Sequence, residues 1–521
     1  AARALGDVGI PSFYRPLVPL LQDDAPKVRV AALEAAGKLK NAKLWPLVVQ
    51  SLTDPAVRPA AAAALVSGGD AVLPDLRTLF SERAQPTYIL IRAAQICGRI
   101  GGPGARALLE EHVACADTGV RGQVLAALNR AGYHVHGEGV ARIRSQVTAE
   151  VAFAAWLVAA LADIGDGPEV ALVQSALSYE FQQTHERLFL LLSFIYDPQA
   201  ILRARDNLMN AAGGKRAYAL EILDLLVAQD LKPGVFAVLD DLPPAERLQR
   251  LSTMFPQPRL ERAARLRDVV THSIARHPWV AACALYTLSR VSSPALPEIV
   301  RLGLSAPNVL VRETAAWVEW KLALKAPDRT GAAAADGTHV ASPWRDRAST
   351  AGERMMLSTI EKVLTLKTVS IFARSPDETL VDIAAILEEV DIPEGHTIFE
   401  KGDIGSCLYI IADGRVRIHD GEHTLNELGT GGVFGEMAVL DAAPRVASAT
   451  ALDATRLLRL DQEPLYELMA DRIEVVRAIV GVLSGHLRAR LQDIAELSAR
   501  IQDLTNASHA NAAMGASHEQ L

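Results

Sequence analysis

Aromatic residues are scarce in this chain of 521 residues, of which phenylalanine, tryptophan and tyrosine together make up only 5%. Half of the residues are nevertheless apolar, mostly alanine, leucine and valine, which suit closely packed helices better than a β-sandwich. A single hydrophobic core is not expected at this length. The chain is therefore predicted to form two or more domains.

Cysteine, basic blocks and long apolar runs are also rare or missing. The net charge is −8 without a basic block, so a nucleic-acid partner is not predicted. The apolar run Val151–Ala162 is shorter than the roughly 18 residues of a membrane span, and no signal peptide is recognised. The cysteines form no Cys-x-x-Cys pair, which indicates a reducing, cytoplasmic environment. They are Cys97, Cys115, Cys283 and Cys407.

One pattern recurs along the first 325 residues, a turn with Asp and Pro followed by Val-Arg and small residues. Its arginines lie 29, 34 and 29 residues apart, close to the period of roughly 30 residues of stacked helical pairs. We expect each aspartate to cap the first N–H groups of a helix, and each arginine to bond neighbouring turns. The copies include Asp24–Ala32, Asp54–Ala61, Asp117–Arg121 and Ala306–Arg312, with Arg92 between the second and third.

This recurrence resembles HEAT repeats, especially their short form. The resemblance implies an all-α superhelical solenoid over residues 1–325, in which neighbouring pairs share one core. Residues 130–270 are predicted to be helical without a clear register. The segment Ala1–Gly9 looks like the second half of a repeat, so we expect the chain to begin inside a longer protein.

A different pattern begins near residue 392, where the apolar period changes to two. Nine glycines occur from Gly395 to Gly435, as short strands and tight hairpins require. Glu436 then stands nine positions before Arg445, with a short helical turn and a loop between them. An arginine can donate two parallel hydrogen bonds to phosphate oxygens. The carboxylate can accept from a sugar hydroxyl, and the N–H groups of the turn at Gly435–Met437 can bind an anion.

These residues resemble the phosphate-binding cassette of cyclic-nucleotide-binding domains, as in cAMP-dependent kinase regulatory subunits and bacterial cAMP receptor proteins. Pro393–Gly395 and Leu408–Ile411 resemble the opening strand and next hairpin of that family. The resemblance implies a β-roll (jelly-roll) with flanking helices, in which Glu436 binds ribose and Arg445 binds the cyclic phosphate. The implied ligand-binding residues are Gly435, Glu436, Met437, Ala438, Arg445, Val446 and Ala447.

The residue after the arginine bears on the choice of ligand. In this family a hydroxyl residue there often helps to select guanine, and this chain has Val446, so cAMP is expected rather than cGMP, with no metal. In relatives the C-terminal helix covers the base. Candidates for that cover are His486, Arg488 and Arg490, for which a solvated helix face is the alternative.

The predicted organisation has four segments. HEAT-like repeats occupy residues 1–325, a flexible linker 326–352, the cyclic-nucleotide-binding domain with its C-terminal helix 353–495, and a helix end with a disordered tail 496–521. His134-Val135-His136 was weighed as a metal site, but a loop is favoured because no third ligand is evident.

The predicted function is a cyclic-nucleotide-sensing regulatory module, not an enzyme. The domain order resembles the cytosolic region of bacterial ATP/ADP-translocase-like transporter proteins. That resemblance implies a protein partner or membrane domain on the solenoid, and a cytoplasmic position at the inner face of a membrane. The alternative is an interaction scaffold whose cyclic-nucleotide domain no longer binds ligand. An enzyme akin to the short-HEAT bilin lyases is disfavoured because no catalytic pair is evident.

Overall fold

The protein forms two compact units, residues 1–360 and 361–521. The computed structural model describes residues 2–54, 56–82, 85–209, 213–291, 296–325, 356–369, 372, 375, 377–436, 444–471, 476, 479–480, 484, 492 and 498. The predicted linker at 326–352 and the tail from residue 499 onward lie outside these ranges.

The first part of the N-terminal unit consists of short helices with brief connections, several of them 3₁₀ turns. They are α1 (Ala2–Val8), α2 (Leu17–Leu21), α3 (Pro26–Leu39), α4 (Trp45–Gln50), α5 (Arg58–Gly68), α6 (Leu73–Ser81), α7 (Thr87–Ile100), α8 (Gly102–Glu110) and α9 (Thr118–Arg130). Helices α1, α3 and α5 pack successively, as do α7 and α9, and their apolar faces form one continuous core. This is the helical stacking that the repeat period predicts.

Glycines near the ends of these helices set how closely successive repeats approach. At three of these glycines an added Cβ would lie 2.8 to 3.0 Å from the Cα of an alanine in the next packed helix, so only glycine fits without a shift. The pairs are Gly6–Ala35, Gly37–Ala64 and Gly98–Ala127. These glycines form a second repeating pattern in the sequence, which the prediction from arginines and aspartates did not include.

The repeat arginines make one shared contact. Each donates a hydrogen bond of 2.7 Å to the backbone carbonyl six residues earlier, and so ties its helix to the preceding turn. The donors are Arg29, Arg58, Arg121 and Arg312. Arg29 also bonds the carboxylate of Asp54 in the next repeat at 2.5 Å. The expected bonding of neighbouring turns is therefore observed at these four positions.

One of the predicted aspartate caps is observed: Asp117 caps α9, whereas α3 and α5 begin without a side-chain cap, and their aspartates bond N–H groups that precede the helix. Asp117 accepts from the N–H of Val120, and Asp54 from that of Ala56, each at 3.0 Å. In the first copy the acceptor is Asp23 rather than the expected Asp24. Because Asp23 stands two residues before Ala25, its side chain reaches that N–H in a local turn.

The middle of this unit departs from short repeats. It contains α10 (Glu138–Ile164), α11 (Ala171–Ile195), α12 (Pro198–Met209), α13 (Gly213–Leu226), α14 (Lys232–Leu239) and α15 (Pro244–Met254). Among the described helices, α10 alone is long and apolar enough to cross a membrane by length and composition. Of its most apolar window, 61% is buried among neighbouring helices, which accounts for the composition.

The remaining helices of the unit return to the earlier repeats. They are α16 (Arg262–Ser273), α17 (Pro278–Leu288), α18 (Leu296–Leu304) and α19 (Val309–Lys325). Helix α17 packs against α11, although helices α12–α15 lie between them in the sequence. The N–H of Thr118 donates to the carbonyl of Arg276 at 3.3 Å, and the Thr118 hydroxyl lies 2.6 Å from Nδ1 of His277.

A buried charged network lies where α9, α10, α11 and the start of α17 meet. Arg187, 3% exposed, contacts Glu150 and Glu180, each at 3.0 Å. Arg121 reaches the other oxygen of Glu150 at 2.7 Å. Burial alone would raise the pKa of Glu180, but Arg187 and His277 lower it to about 2. Each buried carboxylate is thus compensated by a cation, as a low-dielectric site requires.

The C-terminal unit begins with α20 (Thr359–Thr368) and α21 (Asp377–Ala385), and α22 (Gln462–Asp471) follows its strands. The strands are β1 (Glu388–Ile392), β2 (Thr397–Phe399), β3 (Cys407–Asp413), β4 (Val416–Asp420), β5 (His423–Leu428), β6 (Val433–Phe434), β7 (Ser448–Ala451) and β8 (Thr455–Asp461). They form two antiparallel four-stranded sheets, ordered β1-β8-β3-β6 and β2-β7-β4-β5. The predicted fold class, helical repeats followed by an antiparallel β-sandwich, is confirmed.

Candidate functional site

The candidate site lies between β6 and β7, where the chain leaves one sheet and enters the other. Arg445 stands just before β7, and backbone pairing fixes it there. Its N–H donates to the carbonyl of Asp403, and its own carbonyl accepts from the N–H of Gly402, both at 2.8 Å. Pro444 forms an isolated antiparallel bridge with Ile404. The turn after β2 thus positions the arginine backbone.

The side chain of Arg445 points inward and is only 7% exposed. Nη1 donates to the carbonyl of Gly435 at 3.0 Å, and Nη2 donates to the carbonyl of Cys407 at 2.8 Å. The Cys407 sulfur lies 3.5 Å from Nη2. Two backbone carbonyls, one in β3 and one just after β6, therefore fix the orientation of the guanidinium.

Gly435 is required for this arrangement. Its φ of +75° belongs to the left-handed region, and a Cβ there would collide with Nη1 of Arg445. The residue before it, Phe434, is 4% exposed and belongs to the sheet core, as expected. Glycine thus allows both the backbone conformation and the close approach of the arginine.

An aromatic group lies behind the arginine. Cζ of Arg445 lies 4.2 Å from the ring centroid of Phe399, a cation–π distance. Phe399 in turn packs with Tyr409 and Phe434, with ring centroids 6.1 and 5.9 Å away. Burial raises the pKa of Tyr409 to about 12. The phenol therefore stays neutral near pH 7 and adds no negative charge beside the guanidinium.

The other predicted residues occupy varied positions. Glu436 is exposed directly after Gly435, Val446 is 71% exposed, and Ala447 is 6% exposed on the inner side of the strand entry. Ser448 begins β7, and its Oγ accepts from the N–H of Lys401 at 3.0 Å. Met437 and Ala438 lie outside the described residues, as do the base-cover candidates His486, Arg488 and Arg490.

Two residues of the arginine environment were missed from sequence. Phe399 lies a few residues after the predicted opening strand at Pro393–Gly395, and its aromatic type was the available signal. Cys407 contributes mainly its backbone carbonyl, for which no side-chain pattern gives a signal. The segment His134-Val135-His136 lies in the connection between α9 and α10, with imidazole centroids 5.0 Å apart. The described residues contain no group of three or more side chains suited to a metal.

Comparisons with known families agree with both halves of this architecture. The family model for the cyclic nucleotide-binding domain matches residues 389–472, and the model for HEAT repeats matches residues 1–65. The first match spans all the strands except the start of β1, together with the segment from Gly435 to Arg445. The second covers the first repeats, including two of the glycine–alanine contacts.

Three relatives are similar to the C-terminal part of this chain. A CRP-like cAMP-activated global transcriptional regulator of Mycobacterium tuberculosis is 34% identical over 137 residues, 25% of this chain and 61% of that protein. The cyclic AMP receptor protein of Thermus thermophilus is 40% identical over 116 residues, covering 19% and 54% of the two chains. A cAMP-dependent protein kinase regulatory subunit of Dictyostelium discoideum is 30% identical over 126 residues, covering 23% and 37%. The chain thus spans less than two thirds of these relatives.

Proposed function

Because the C-terminal unit contains a cyclic nucleotide-binding domain, we propose that it binds cAMP and acts as the sensing part of a regulatory protein. The observation that carries this proposal is the geometry of Arg445. A buried guanidinium, stacked on a ring and supported by two carbonyls, lies ten residues after Gly435 in the matched family segment. It is the charge and the donor shape that a cyclic phosphodiester needs.

The guanidinium keeps donors available for a ligand. It has five N–H bonds, and among the described residues Nε–H has no hydrogen-bond acceptor. Nη1 likewise has a second hydrogen beside the one given to Gly435. A phosphate can therefore be bound without breaking the contacts that orient the side chain. Glu436 is exposed beside Gly435, and we propose that its carboxylate accepts a hydrogen bond from the ribose hydroxyl.

We propose cAMP rather than cGMP because of the residue after Arg445. Val446 carries no hydroxyl, and its side chain is exposed beside the arginine. It therefore offers guanine no polar contact. The names of the bacterial and kinase relatives, which refer to cAMP, support the same choice.

The proposed output of the sensor is the N-terminal solenoid. Stacked helical repeats present extended surfaces to partners, so we propose that ligand binding changes how this unit engages a protein partner or the membrane domain of a transporter-like protein. This step rests on the domain order.

One observation favours a second candidate, an interaction scaffold in which Arg445 is structural. Its contacts with the carbonyls of Gly435 and Cys407 already satisfy part of the guanidinium and tie β3 to the β6–β7 connection. A domain that had lost its ligand could retain the arginine for that reason alone. The two candidates differ in one measurable property, since the sensor must bind a cyclic nucleotide.

Isothermal titration calorimetry of the whole chain with cAMP, cGMP, a cyclic dinucleotide and linear AMP tests the proposal. We expect cAMP to bind most tightly and AMP weakly, because AMP carries an open, doubly charged phosphate. Thermal unfolding gives an independent readout: at a hundredfold excess over Kd, ligand should stabilise the folded form by about 2.7 kcal/mol. Absence of both heat and thermal shift with every cyclic nucleotide would favour the scaffold.

Variants of Arg445 then identify the phosphate ligand. Arg445→Ala should cost at least about 1.5–3 kcal/mol of binding free energy, the range for a charge-assisted hydrogen bond. Arg445→Lys should also weaken binding, because a lysine lacks the planar fork. The matched control is Arg415→Ala, which removes an exposed arginine paired with Asp453 in the same unit. Equal binding by all four proteins would remove Arg445 from the site.

A further inference from the structure

We propose that Phe399 is a positioning residue for the cyclic phosphate, acting through Arg445. This inference rests on the proposed function and assigns a task to a residue outside the segment from Gly435 to Ala447. Cζ of Arg445 lies 4.2 Å from the ring centroid of Phe399. Among the described residues, Phe399 is the one aromatic side chain with a cation–π contact to the guanidinium.

The contacts of the guanidinium divide into edges and a face. Its edges donate to the backbone carbonyls of Gly435 and Cys407, and these acceptors do not depend on side-chain type. Its face lies over the ring of Phe399. A planar fork donates within its own plane, so whatever fixes that plane also fixes the direction of the remaining N–H bonds. Mutation can replace the ring, whereas the backbone carbonyls remain whatever the side chain.

The ring is itself held in place by the sheets. Phe399 ends β2 in one sheet, whereas Tyr409 and Phe434 belong to β3 and β6 of the other. The centroids of Tyr409 and Phe434 lie 5.3 Å apart in a stacked pair, and Phe399 packs against both. Three aromatic rings in a chain with 5% aromatic residues are thus gathered behind one arginine. The guanidinium therefore stacks on the ring of Phe399, and the rings of Tyr409 and Phe434 hold that ring in place.

Burial makes the ring contact more effective. Arg445 is 7% exposed, and a cation–π contact strengthens as water is removed from the cation. When the guanidinium is already oriented before binding, less side-chain conformational entropy is lost as the ligand binds. Without the ring, the side chain must find the same plane during binding. The loss should therefore appear as weaker phosphate affinity, while the β-sandwich remains folded.

The test compares cAMP affinity of the whole chain in four forms by calorimetry: parent, Phe399→Leu, Phe399→Trp and Ile398→Val. We expect Phe399→Leu to weaken binding about tenfold, within the range of a desolvated cation–π contact, and Phe399→Trp to retain parental affinity within about threefold. Ile398→Val trims the neighbouring residue of the same strand and should change affinity less than about twofold. An affinity for Phe399→Leu equal to the parent's, or a Phe399→Trp protein as weak as Phe399→Leu, would overturn the inference.

A double-mutant cycle separates positioning from general packing. In the Arg445→Lys background, which keeps a charge but no plane, Phe399→Leu should change cAMP affinity less than about twofold; ligand-detected NMR can follow the weakest variants. The same factor in both backgrounds would show that the ring acts independently of the arginine and would refute positioning. A parent protein that binds no cyclic nucleotide would refute the proposed function itself. A parent that binds, with Phe399→Leu unaffected, would remove only the present inference.

Discussion

The carbonyl oxygen of Gly435 accepts a hydrogen bond of 3.0 Å from Nη1 of Arg445, and a Cβ on that glycine would occupy the place of the donor. Gly435→Ala should therefore displace the guanidinium and lower cAMP affinity at least about tenfold, the effect of losing one charge-assisted hydrogen bond. Calorimetry of the variant checks this prediction.

Gly395→Ala is the matched control. Gly395 has φ of +77°, close to the +75° of Gly435, and a Cβ there would meet nothing within 4 Å. Both substitutions carry the same left-handed strain of roughly 1–2 kcal/mol, but only one reaches Arg445. Similar affinities of the two variants would mean that the glycine–arginine contact does not matter for binding.

Removal of Arg187 should destabilise the helical unit strongly. Arg187→Met removes the buried cation that Glu150 and Glu180 share, at an expected cost of about 3–5 kcal/mol. Lys38→Met breaks the exposed pair with Asp7 and should cost less than about 1 kcal/mol. Urea unfolding followed by circular dichroism measures both. Equal midpoints for the two variants would contradict the importance of the network.

Acidification should weaken the helical unit through His185. Burial lowers the pKa of His185 to about 4, and the charges of Arg247 and Arg216 act in the same direction. Between pH 6.5 and 4 the unfolded chain therefore binds more protons than the folded one, so stability falls as the pH falls through this window. The contribution of this one group should be about 1–3 kcal/mol.

His185→Gln removes that titration and keeps a polar side chain. The decline in melting temperature between pH 6.5 and 4.5 should be shallower in this variant than in the parent. His423→Gln, at an exposed position of the other unit, should leave the slope unchanged. An unaltered slope in His185→Gln would show that the acid sensitivity arises elsewhere.

Gly98 should be hard to replace, because it packs directly against α9. A Cβ there would lie 2.8 Å from the Cβ of Ala127, so Gly98→Ala should cost about 1–3 kcal/mol through overpacking. At Gly122 the nearest atom, Cδ of Arg187, is 3.9 Å from such a Cβ. Gly122→Ala should therefore stabilise by roughly 0.5–1 kcal/mol, since alanine favours helix. Thermal unfolding should move the two variants in opposite directions, and shifts of the same sign would refute this packing account.

Short-range patterns account for what could be predicted. The carbonyl that each repeat arginine bonds is six residues away, so the arginine spacing was enough to indicate both the period and the contact. The predicted turn that begins at Gly435 is likewise a local feature. Of the predicted aspartate caps only that of Asp117 forms, because the backbone geometry decides which N–H groups an aspartate can reach; Asp23 and Asp54 bond N–H groups before their helices.

The sequence by itself determined the helical repeats and the change to a two-residue period near residue 392, and it led to the proposal of Arg445 as the phosphate ligand. Tertiary structure alone decided what surrounds that arginine: the carbonyl of Cys407, 38 residues earlier and in the other sheet, and the ring of Phe399 in β2, the strand paired with β7. It likewise brought His277 to Thr118 across 159 residues. The physical reason is that a periodic pattern records only contacts within a few turns. Contacts between residues that are distant in sequence produce no periodic pattern. They form only when the two sheets, or helices α9 and α17, have packed together.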